Sequence, residues 1–137
     1  MTANYFQEKV QLHDVVDLTV CSAIYKVCNG NQFEYMNGSD FVAFMNAKPL
    51  QRPVRIRLRE KSRVCYLFYA IAKETMPTCL AKEWVFFMLQ HCLIKKEFYR
   101  SHYKDAEAAG ATEDNVRFVM AVKSAIQEAQ GCRYHRE

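Results

Sequence analysis

The run VCYLFYAIA, residues 64–72, narrows the possible folds of this chain more than any other feature. It is apolar on every side of a helix, so as a helix it needs neighbours all round. It is far too short to cross a bilayer, which takes about 20 apolar residues. EKSR precedes it, KET follows, and Pro77 blocks continuation. The pattern predicts a central helix over residues 60–75, ended by the proline.

The other segments supply the neighbours. Leu12, Val16, Val20, Ala23, Ile24 and Val27 share one helical face, opposite Gln11, Ser22 and Lys26, with Asn29 and Gly30 as a stop. Ser39 is positioned to cap a short helix reaching Phe44 or Met45. Thr78 can cap another, with Leu80, Trp84, Phe87, Met88 and His91 on one face. A helix over residues 95–106 would turn Phe98, Tyr99, His102 and Ala106 inward. Thr112 opens a last one, whose apolar arc holds Val116, Val119, Met120, Val122 and Ile126, with Gly131 beyond its end. QFEYM (32–36) and VRIRLR (54–59) alternate with period two, as strands do. The expectation is a mainly α fold: one domain, residues 1–137, built as a bundle of five or six helices. It carries at most a minor two-stranded β ribbon pairing 32–36 with 54–59, unless the second stretch is an irregular arm.

A chain of 137 residues, half apolar and a quarter charged, can bury a core without disulfides or metal. Six cysteines are present, yet no Cys-x-x-Cys pair occurs and the N-terminus shows no basic-then-apolar leader. A reduced, cytoplasmic protein with no membrane segment is expected. No Gly-rich phosphate loop, G-x-S-x-G or H-E-x-x-H motif is present. His91 and Cys92 with Cys132 and His135 lack the usual spacing of a zinc site. The reading is of a non-enzyme with no catalytic residue, metal or cofactor.

Charge carries the functional signal. The net +4 is uneven: residues 1–47 sum to −3, 48–63 to +6, 82–104 to +3, and the last 33 to −2. The first basic centre is RPVRIRLREKSR, with Arg52, Arg55, Arg57, Arg59 and Arg63 around the single acid Glu60. If 54–59 is extended, Arg55, Arg57 and Arg59 form a row about 7 Å apart, while Val54, Ile56 and Leu58 face the core. That spacing suits successive phosphates. The competing reading is a solvated edge neutralised by the acidic first third of the chain. The second centre is Lys96, Arg100 and Lys104, a stripe at i, i+4 and i+8 of one helix, with Tyr99 and Tyr103 beside it. Phe86 projects among Lys82, Glu83 and Gln90 with no core to enter.

The stretch LQHCLIKKEFYRSHYKD (89–105) resembles the turn and second helix of bacterial helix-turn-helix regulators, including the FY pair of TetR-like repressors. Met88, Cys92 and Ile94 stand where that motif carries a small residue, a glycine and a polar cap, and the chain is not assigned to the family. Two function classes follow from the residues. In one, both basic centres contact the phosphates of a nucleic acid. In the other, Phe86, Tyr99 and Tyr103 anchor a protein partner or a second copy of the chain.

Overall fold

A computed structural model describes residues 14–135, with side chains described through residue 131. Among these residues the chain forms six α-helices: α1 (Leu18–Cys28), α2 (Gly38–Met45), α3 (Lys61–Thr75), α4 (Thr78–His91), α5 (Lys96–His102) and α6 (Glu113–His135). A single 3-10 turn, Asp105–Glu107, joins the last two. The fold is mainly α, as the apolar periodicity requires.

The 64–72 run lies at the centre. Val64, Cys65, Leu67, Phe68 and Ile71 of α3 are fully buried. This helix packs on α4, α5, α6 and the 3-10 turn, while α1 lies against α2 and α6. A relay of edge-on rings, Phe33, Phe44, Phe68 and Trp84, crosses the core at centroid spacings of 5.7, 6.3 and 5.8 Å. Trp84 donates its indole N–H to the Met45 carbonyl at 2.7 Å, so its one polar atom is satisfied inside the core. Of the residues expected to centre the apolar packing, Val64, Leu67, Phe68, Ile71 and Trp84 are buried, and Phe87 is half-buried.

Several boundaries differ from expectation, each for a local reason. α1 begins at Leu18 because the Val16 amide is held by the buried Asn46 side chain at 2.8 Å, which keeps residues 14–17 out of the helix. Leu12, expected on the same face, lies outside the described residues. Asn37, not Ser39, caps α2: its Oδ1 accepts the Asp40 amide at 2.8 Å and the Ser39 hydroxyl at 3.0 Å. Pro77 takes the N-cap position of α4, so Thr78 is already helical and makes no side-chain cap. α5 stops at His102 rather than near Ala106, which is buried in the 3-10 turn instead. Thr112 does meet the start of α6, its hydroxyl accepting the Asn115 amide at 3.3 Å. The helix then runs through Gly131. Phe118, Val122, Ala125, Ile126 and Ala129 form its buried stripe, which leaves Val116 and Met120 exposed.

The expected ribbon reduces to one antiparallel bridge, Phe33 with Ile56, flanked by Glu34 N–H to Arg55 O and Arg57 N–H to Gln32 O, both 2.9 Å. Beyond Arg57 the chain turns: the Glu60 amide bonds the Arg57 carbonyl at 3.1 Å, and Arg59 takes φ 70°. The alternation therefore breaks, and Leu58 is 88 % exposed instead of facing the core.

Candidate functional site

The site is built around the α4–turn–α5 corner. Cys92 closes α4, and Leu93 adopts φ 59°, the left-handed conformation usually left to glycine or asparagine after a helix. The Ile94 amide then reaches back to the Leu89 carbonyl at 2.9 Å, and the Ile94 side chain is buried. This buried residue fixes the direction in which α5 leaves. Phe98 of α5 lies under the Lys61 ammonium, 5.2 Å from the ring centroid, at the start of α3. Tyr99 stacks on Tyr103 at 5.1 Å, and Tyr103 meets Tyr69 of α3 edge-on at 4.9 Å. Burial, and then the neighbouring Cys65, Tyr103 and Tyr69, push the Tyr99 hydroxyl up, so it stays protonated.

Between α3, α4 and α5 lies a groove of about 440 Å³. Ala72, Met76, Ala81, Val85 and Leu89 are among the residues of its apolar lining. Phe86 and Tyr99 contribute its aromatic surface. Its charged lining residues are Lys73, Lys82, Lys96 and Arg100, with no carboxylate. None of the four takes part in an ion pair with the described residues. Cations stand over rings instead: Lys96 is 5.0 Å from the Phe86 centroid and Lys73 is 5.7 Å from that of Tyr69. Lys104 lies 5.7 and 5.6 Å from Tyr69 and Tyr103. Such contacts contribute about 0.5–1 kcal/mol each at exposed positions and leave the ammonium able to meet an anion.

The structure thus brings Phe86, Tyr99, Lys96 and Arg100 together in one groove and sets Tyr103 and Lys104 at its Tyr69 side. The expected i, i+4, i+8 stripe holds for Lys96 and Arg100; Lys104 lies past the end of α5. Tyr69, Lys73 and Lys82 were missed. Tyr69 and Lys73 are four apart on a helix that reads as enclosed on all sides, and that spacing was the available signal.

The arginine arm divides. Arg57 donates to the Gly30 carbonyl. Arg63 pairs with Glu60 at 2.5 Å and donates to Asn115 Oδ1 at 2.6 Å, tying α3 to α6. Glu60 also accepts from Gln32 at 3.0 Å. Both arginines already have partners within the fold, and the turn after Arg57 ends the regular alternation that would set Arg55, Arg57 and Arg59 in one row. Arg52 and Arg55 line a different groove, shared with Glu34 and Asp40, and Arg59 is exposed on the turn.

Cys21, Cys28, Cys65, Cys79 and Cys92 are free thiols. Burial pushes Cys21, Cys65 and Cys92 up to about 12, far from the thiolate that nucleophilic chemistry requires. His91 packs among apolar rings, stacking on Phe87 and tilting against Phe44. His102 packs on Phe98 at 4.4 Å as expected, and its Nδ1 meets Asp105 at 2.6 Å. Cys132 and His135 lie outside the described side chains; among the described residues no His, Cys, Asp and Glu cluster is placed to hold a metal. No described helix is long and apolar enough to cross a membrane. No protein-family model, curated protein or solved structure matches the chain.

Proposed function

We propose that the protein is a non-enzymatic nucleic-acid-binding protein whose α5 face contacts the phosphate backbone. The observation that carries this reading is the groove whose charged lining residues, Lys73, Lys82, Lys96 and Arg100, include no carboxylate, with exposed Lys104 near it. A cluster of cations of this kind is the electrostatic footprint that phosphates select. Arg52, Arg55 and Arg59 form a second, smaller contact region. Arg57 and Arg63 are left out of the contact set because their guanidiniums already bond the Gly30 carbonyl and Glu60 with Asn115.

Fluorescence anisotropy with labelled duplex and single-stranded oligonucleotides across a salt series tests the proposal. Each duplex phosphate neutralised contributes a slope of about 0.9 in log affinity against log salt. Replacing Lys96, Arg100 and Lys104 together by Gln is expected to lower that slope by roughly two to three units on every sequence, with helix content unchanged. Absence of binding by the wild-type protein at low salt overturns the reading. A protein interface centred on Phe86 is the second reading, supported by that ring being 42 % exposed beside an apolar groove. It predicts salt-insensitive self-association, seen in sedimentation, that Phe86→Glu abolishes.

A further inference from the structure

We propose that the groove between α3, α4 and α5 binds a free amphipathic carboxylate, its aliphatic chain along the apolar floor and its head group on Lys96 and Arg100. Two small residues, Ala72 and Ala81, line the groove from neighbouring helices, and larger side chains there would take up part of its volume. At about 440 Å³ it falls within the ~300–1,000 Å³ common for small-molecule sites, which are mostly apolar with a few placed polar groups. Met76, one of its lining residues, is unbranched and adaptable, suited to apolar chains of differing shape.

Charge selects the ligand within that class. The charged residues lining the groove are all cationic, so an anionic head is favoured over a neutral or cationic one. A nucleobase fits less well, because its ring edge would lose hydrogen bonds against Val85, Leu89 and the two alanines. A bilayer surface fits less well too, since the apolar area is recessed between helices instead of projecting as an insertable face.

Isothermal titration calorimetry with hexanoate, octanoate, decanoate and 1-decanol, without nucleic acid, provides the test. Saturable one-to-one binding of decanoate is expected, with affinity rising about fourfold for each added methylene along the series. 1-Decanol is expected to bind at least tenfold more weakly. Ala81→Phe fills the hollow and should abolish binding. Lys96→Gln with Arg100→Gln, both at exposed positions, should reduce decanoate to the affinity of the alcohol. Absence of saturable heat overturns the proposal, as does decanoate affinity unchanged in the charge variant, whether or not Ala81→Phe folds. Capture of the protein by phosphatidylglycerol vesicles, undiminished in the charge variant or by excess decanoate, would overturn the free-ligand assignment. Ala81→Phe keeps every cation in place, so its effect on decanoate is separable from the salt slope that tests nucleic-acid binding.

Discussion

Ala47, Arg59 and Leu93 hold φ values of 58, 70 and 59°, in a region that costs a side-chain-bearing residue about 1–2 kcal/mol. Each stands where one helix has ended or the next is about to begin, and none is a glycine. The usual written sign of such a bend is therefore missing from the sequence, and the turn at Arg59 could not be read from its residue type. His91 shows a second contest at this scale. The C-terminal end of α4 favours a cation, yet burial lowers the His91 pKa below the ordinary 6.5. Its Nε2 is buried with no hydrogen-bond partner among the described residues. Because the folded state resists a proton that the unfolded chain accepts, stability is fully present above pH 6.5 and declines as the pH falls through and below it. Chemical denaturation between pH 7.5 and 5 should show this decline, and His91→Gln should flatten it.

At the scale of the element, the helix interiors follow their sequence patterns and the ends depend on local competition. Asn37 and Ser39 both suit a cap, and the position of the Asp40 amide gives that role to Asn37. Asn37→Ala should cost about 1 kcal/mol in thermal or chemical denaturation, while Ser39→Ala should cost clearly less. The 54–59 stretch illustrates the opposite case. Its period-two pattern is genuine as far as Ile56, which makes the bridge to Phe33, but a lone bridge cannot carry a strand past the turn at 58–59. α6 has apolar residues on more of its surface than its neighbours cover. Which of them are buried depends on where α1 and α3 lie, and Val116 and Met120 fall outside that contact.

Across the whole molecule, the core closes around α3 through Phe68, which is fully buried between Phe44 and Trp84. Phe68→Ala should lower stability by about 3–5 kcal/mol, read from denaturant midpoints, because the surrounding rings are held by other contacts and cannot collapse into the space. The helical class, the central position of α3 and most of the core were legible in the sequence, since burying an apolar residue every third or fourth position leaves one solution for each segment. The closeness of Lys96, Tyr99 and Arg100 was legible as well, because α5 carries them near one another along the chain, whereas Tyr103 and Lys104 fall past its end. The groove was not, since it joins Tyr69 and Lys73 of α3 to Phe86 of α4 and Arg100 of α5, residues related only by packing. Nor was the division of the arginine arm. The sequence determined that five arginines are crowded between 52 and 63, with Glu60 one helical turn from Arg63; tertiary contact alone decided that Arg57 meets the Gly30 carbonyl and Arg63 the Asn115 side chain, because those partners, distant along the chain, come within reach only once it has folded.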